Sequence, residues 1–175
     1  MANTTKERAG AVTMKGNPLT LVGNELKVGD TLPDVELIAN DMSHVKLSSY
    51  RGKVCIISAV PSLDTSVCSV ETRRFNEEAA KIGADTVILT ISMDLPFAQK
   101  RWCGAEGVDR VVTLSDYRNA DFGKACGILI KEIHLLARTV FVADKGGVIR
   151  YIQAVKEISA EPDYKAVIDA ANKLK

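Results

Sequence analysis

Two unbroken apolar runs constrain this chain most: KVCIISAV over 53–60 and DTVILTISM over 85–93. Neither alternates polar with apolar residues, and both are rich in β-branched side chains. Such runs read as strands buried on both faces of a sheet. Between them the period changes. Val67, Val70, Phe75, Ala79 and Ile82 recur at helical spacing, with Arg73, Arg74, Glu77, Glu78 and Lys81 around them. This predicts an amphipathic helix that ends near Gly83. Buried strand, helix, buried strand is a βαβ unit. Its right-handed crossover demands a parallel pair, and the sheet then needs cover on both faces.

The flanking segments complete the pattern. AVTMK and LTLVG read as an N-terminal hairpin over about residues 11–22, with Gly16 and Asn17 in the turn and Pro18 at a strand start. VELIA and HVKLSSY read as two short strands joined by Asn40 and Asp41. PFAQKRWCGAEG is a short helix starting at Pro96 and weakened by Gly104 and Gly107. RVVTLSD is a further strand, and NADFGKACGI a short helical or irregular stretch. ARTVFVAD and VIRYIQAV form a hairpin around Gly146 and Gly147, and Asp163 to Leu174 a terminal helix. The expected fold is α/β and thioredoxin-like: a central mixed sheet flanked by helices, plus the N-terminal hairpin, in one domain over 1–175. A chain of 175 residues is long enough for a full core of that kind.

Composition narrows the function classes. With 23 basic and 22 acidic residues the net charge is +1, so no overall field favours nucleic acid or an anionic membrane. MANTTKERAGAVTMKGN carries no apolar run of signal-peptide length, and the longest apolar runs elsewhere are strand-length. The expectation is a cytoplasmic protein, where thiols stay reduced. The four cysteines are Cys55, Cys68, Cys103 and Cys126. No CxxC occurs, which argues against a structural zinc site and a thioredoxin-type dithiol. Buried thiols, reactive thiols or a mixture remain.

Cys68 stands apart by position. Asp64, Thr65 and Ser66 are all good N-cap residues, so the amphipathic helix begins there and Cys68 falls in its first turn. Free backbone N–H groups and the positive end of the helix dipole favour a thiolate, which is the nucleophilic form. Against this, Cys68 shares a helix face with Thr72, Phe75 and Ala79, where a cysteine commonly serves as a small core residue. Position alone leaves both readings open.

The surrounding residues decide between them by resemblance. Pro61, Thr65 and Cys68 form PxxxTxxC within VPSLDTSVCSVETRRF, which resembles the peroxidatic loop of peroxiredoxins. The likeness is closer to their atypical two-cysteine branch, the bacterial thiol peroxidases, because LPFAQKRWCGAEGV follows at 95–108. It continues through TMKGNPLTLVG, TLSDYRNADFG, LLARTVFVAD and EPDY. The resemblance implies that Cys68 is the peroxidatic cysteine and Cys103 the resolving one, joined as an intrachain disulfide after oxidation. It implies that Thr65 hydrogen-bonds the thiolate or the peroxide, that Pro61 shapes and shields the loop, and that Arg138 stabilises the thiolate. It further implies hydroperoxide substrates, thioredoxin as reductant, a homodimer, and neither cofactor nor metal. Both reactive cysteines are expected at helix starts that unwind to let them meet. Cys55 and Cys126 read as inert core thiols, and His44 and His134 receive no role. A redox sensor on the same fold and a non-catalytic thioredoxin-like domain are the alternatives.

Overall fold

The computed structural model describes residues 6–175. It opens on an antiparallel hairpin, β1 (Glu7–Met14) and β2 (Asn17–Val22). The turn is Lys15–Gly16 rather than Gly16–Asn17. Both central residues have positive φ, 51° and 81°, and Met14 pairs directly with Asn17. This two-residue turn suits the twist of the strands it joins. β3 (Glu36–Ala39) and β4 (His44–Lys46) follow as a short antiparallel pair. LSSY leaves the expected strand and forms a 3-10 turn, held by a Ser48 N–H donated to Asp34.

β5 (Val54–Ala59) is buried throughout and leads into α1 (Ser66–Ile82). β6 (Thr86–Ser92), α2 (Pro96–Glu106) and β7 (Val112–Ser115) come next. α3 (Asp121–Ala125) precedes two very short strands, β8 (Leu129–Ile130) and β9 (Leu135–Leu136). β10 (Thr139–Ala143) and β11 (Ile149–Ala154) form the late hairpin, and α4 (Tyr164–Asn172) closes the chain. Asp163 caps α4 by accepting from Ala166 N–H at 3.0 Å.

The main sheet has the order β11-β10-β5-β6-β7-β3-β4. β5, β6 and β7 are mutually parallel, and the remaining neighbours antiparallel. The sheet is therefore mixed, with the predicted βαβ unit at its centre. A second sheet, β1-β2-β8-β9, is built on the N-terminal hairpin.

Strand pleating sorts the core into two clusters. Val54, Ile56, Ile88, Val140 and Val142 face α1, α4 and Trp102 of α2. Cys55, Ile57, Leu89, Ile91 and Phe141 face the second sheet and Phe122 of α3. Cover on the second face thus comes from one short helix and the hairpin sheet together. Gly23 and Gly127 make that cover fit. A Cβ on Gly23 would lie 1.9 Å from the Lys124 carbonyl oxygen, and one on Gly127 would lie 2.4 Å from that of Asn24. Among the described residues no helix is long and apolar enough to cross a membrane.

Candidate active site

β5 and β10 are antiparallel neighbours, with Ala59 opposite Thr139. The end of β5 therefore lies beside the start of β10. The first feeds the loop 60–65 and α1, and the second begins just after Arg138. That register brings together groups far apart in sequence.

Thr65 is the N-cap of α1, so Cys68 occupies its third helical position, as the sequence predicts. Its side chain has no exposed surface. Arg138 Nη2 donates to Cys68 Sγ at 3.2 Å, and Arg138 Nε donates to the Ile158 carbonyl at 2.9 Å. Arg138 is only 1% exposed, the largest fully buried side chain of the molecule as described. A guanidinium N–H directed at sulfur, next to a helix N-terminus, stabilises negative charge on that sulfur.

Buried arginine needs an anion, and Glu71 supplies it. Glu71 lies one turn beyond Cys68, fully buried, and pairs with Arg138 Nη1. Its other oxygen accepts from Ser58 of β5 at 2.6 Å. Burial raises the Glu71 pKa, although Arg138 and Ser58 pull it down. Burial also pulls the Arg138 pKa down, but Glu71 and Cys68 outweigh it and hold the guanidinium charged.

The core face of α1 is the expected one at Phe75, Ala79 and Ile82, and departs from it at Val70. Val70 is 38% exposed, whereas Glu71 and Thr72 are buried with Cys68 and Phe75. Glu71 lies on the same face as Cys68 and Phe75, and the ion pair with Arg138 makes its burial possible.

Thr65 is exposed and its hydroxyl donates to the Ser62 carbonyl at 2.8 Å, away from Cys68. Pro61 is buried. Pro61, Thr65, Val67, Leu135, Arg138 and Ile158 line a cleft of about 240 Å³, and Arg138 is shared between that cleft and the Cys68 sulfur.

Cys103 departs from expectation. Pro96 starts α2, and Gly107, left-handed at φ 64°, ends it, with its N–H donated to the Cys103 carbonyl. Cys103 is therefore in the last turn rather than at a helix start. The negative end of the helix offers its thiolate no support. Burial raises its pKa, while a contact with Thr113 Oγ1 at 3.5 Å works the other way. Gly107 ends the helix rather than weakening it. All four thiols are free.

Residues 27–168 match the Redoxin family. The chain belongs to the Redoxin family, among its thiol peroxidases. A thiol peroxidase of Oceanobacillus iheyensis is 57% identical over 93% of this chain and 98% of its own length. That of Bacillus subtilis is 54% identical over 93% and 97%. Among solved structures, a peroxiredoxin-like protein from Aquifex aeolicus superposes with a TM-score of 0.90 at 43% identity, covering 95% of this chain and 98% of the other. A thiol peroxidase from Chromobacterium violaceum shares the fold at a TM-score of 0.83 and 21% identity, covering 93% of this chain and 95% of the other.

For a peroxiredoxin-type peroxidase, the two remaining cysteines are poorly suited to reaction. Burial raises the Cys55 pKa to about 11 and drives that of Cys126 further up. His44 pairs on the surface with Glu36 at 2.6 Å, remote from this site.

Glu157 was not foreseen. Its carboxylate accepts from Ser159 Oγ at 2.5 Å, Thr13 Oγ1 at 2.9 Å, Lys15 N–H at 3.0 Å and Gly16 N–H at 3.1 Å. It thereby fastens the β1–β2 turn to the segment whose Ile158 carbonyl orients Arg138. These bonds, led by Ser159 and Gly16, lower its pKa from 4.5 to about 2. A carboxyl lowered on folding contributes stability above its unfolded value and loses it as pH falls through the folded one. Wild type is therefore expected to lose stability between pH 4.5 and about 2 more steeply than Glu157→Gln. Urea midpoints across that range check this, and equal slopes would refute it.

Proposed function

We propose that this chain reduces hydrogen peroxide and alkyl hydroperoxides at Cys68. The observation that carries the reading is the Arg138 guanidinium 3.2 Å from a Cys68 sulfur in the first turn of α1. The Cys68 thiolate attacks the terminal peroxide oxygen. An S–O bond forms and the O–O bond breaks. Sulfur gives up two electrons, and the leaving oxygen takes the proton as water or alcohol. Arg138 faces both the sulfur and the cleft, so its donors can also hold the O–O group in line. Thr65 at the rim can turn its hydroxyl from Ser62 to the bound peroxide. Pro61 walls the loop and keeps bulk water from the thiol. The mostly apolar cleft has room for an alkyl group beside the reacting oxygens.

Cys103 then attacks the Cys68 sulfenic acid. The S–S bond forms as the S–O bond breaks, and hydroxide leaves with the thiol proton as water. Cys68 and Cys103 pack in or against the same cluster under α1 and α2, which favours an intrachain bond. Each thiol is engaged elsewhere, Cys68 with Arg138 and Cys103 with Thr113. Each sulfur must leave its present partner before the S–S bond can form, and the bond needs the two Cα atoms within about 7 Å. A dithiol protein, thioredoxin by family likeness, restores both thiols in a cytoplasmic setting, and the chain acts as a homodimer.

One equivalent of hydrogen peroxide added to the reduced protein tests this. Mass mapping is expected to find a Cys68–Cys103 bond within one chain. Cys103→Ser is expected to react once and stop as a Cys68 sulfenic or sulfinic acid. A bond between two chains sinks the intrachain reading. An unreacted Cys68 sinks the peroxidase site.

A further inference from the structure

Asp94 lies between β6 and α2, just ahead of Pro96, and belongs by sequence to the Cys103 segment. Its carboxylate reaches across to the other segment. Oδ1 accepts from Ser62 Oγ at 2.7 Å and Oδ2 accepts from the Leu63 N–H at 2.8 Å. Oδ2 also accepts from Ser92 Oγ at 2.7 Å. Behind it, Ser115 Oγ donates to the Asp94 carbonyl at 2.5 Å, and buried Gln99 donates to Ser92 Oγ at 3.0 Å. Asp94 is thus fixed to β6 and β7, and Ser62 and Leu63 hang from it. Ser62 in turn accepts from Thr65 N–H at 3.1 Å through its carbonyl, so the hold extends to the N-cap of α1.

We propose that Asp94 is a positioning residue that clamps the 61–65 loop to the start of α2 and so sets the balance between peroxide attack and disulfide formation. The inference rests on the Cys68–Cys103 chemistry proposed above. Peroxide attack uses the clamped arrangement, in which Arg138 donates to Cys68. Disulfide formation requires release, because the Cys68 sulfur must leave Arg138 for Cys103. Both steps draw on one local opening equilibrium, and loosening the clamp populates the open form. Without Asp94, the Leu63 N–H and Ser62 hydroxyl lose the acceptors that hold them in the closed form. The sulfenic acid of Cys68 then reaches Cys103 sooner, S–S forming as S–O breaks with loss of water, and fewer second encounters with peroxide produce sulfinic acid.

The test is stopped-flow fluorescence with hydrogen peroxide, using Trp102, which adjoins Cys103 and is the sole tryptophan. Asp94→Ala is expected to accelerate the disulfide phase about tenfold without accelerating the peroxide phase. At excess peroxide it should also lower the yield of Cys68 sulfinic acid by mass spectrometry. Ser62→Ala removes a single bond of the clamp, and is expected to accelerate the disulfide phase about threefold. It decides the matter if Asp94→Ala does not fold. A residue that merely supports the structure would slow both phases. An unchanged or slower disulfide phase in the folded variants overturns the assignment. Mass mapping of the unsubstituted protein after the same reaction shows separately whether a Cys68–Cys103 bond forms, so failure of the parent chemistry is distinguishable from failure of the clamp.

Discussion

Cys68→Ser is expected to abolish peroxide turnover, by about three orders of magnitude or more, while leaving the fold intact. Serine replaces sulfur with oxygen at nearly the same volume. The site is fully buried, so a change in shape would be felt, but here little changes. The new hydroxyl oxygen can still accept from Arg138, so no buried donor is stranded. What disappears is the chemistry. An alcohol is far harder to deprotonate than a thiol, and a neutral hydroxyl does not take oxygen from a peroxide. The expected result is an unfolding midpoint near wild type with no peroxide consumption above background. Rapid consumption by the folded variant would move the reaction to another thiol. Cys103 is then the sole partly exposed candidate, because Cys55 and Cys126 are both buried.

The clearest sequence signals were local ones. The run Asp64–Thr65–Ser66 and the turn of period after Pro61 located the start of α1, and with it the helical position of Cys68, because capping is a short-range matter. Pro96 at the start of α2 is equally local. The place of Cys103 near the other end of that helix was implicit in the same residues, since Pro96 and Gly107 bound it on either side. β8 and β9 left no trace, because two-residue strands carry no period and exist through pairing with a hairpin more than a hundred residues away. Glu71 illustrates the limit most sharply. In sequence it is one charged residue in a charged helix, and solvent is the usual place for it. Its spacing from Cys68 and Phe75 puts it on the buried face, but it takes Arg138, just ahead of β10, with Ser58 of β5, to make that burial tolerable. Arg138 is legible by family resemblance, whereas its anion Glu71 is not, because the pairing spans 67 residues of sequence.

That pair also carries the second large expectation. Burial raises the Glu71 pKa in spite of the guanidinium beside it. The guanidinium, by contrast, is held charged by the same pairing. A buried ion pair adds little net stability in any case, because desolvating both ions offsets most of their attraction. Breaking it is a different matter. Arg138→Met leaves Glu71 buried with Ser58 alone, at an expected loss of about 3 kcal/mol or more in stability. It also takes away the N–H aimed at Cys68, and removing one such donor from a developing charge costs about a hundredfold or more in rate. Glu71→Leu strands the guanidinium instead and should destabilise by a similar amount, about 3 kcal/mol. The double variant separates the two roles. Well-packed apolar residues can replace a buried ion pair at little cost, so Arg138→Met with Glu71→Leu should recover most of the lost stability. Its reaction with peroxide should stay as slow as that of Arg138→Met, because no donor has returned to the sulfur. Urea midpoints and single-turnover oxidation of Cys68 measure the two quantities on the same samples. If activity returned together with stability, Arg138 would be a structural partner of Glu71 and nothing more. If stability returned alone, the guanidinium is held in the core for the sake of the thiol.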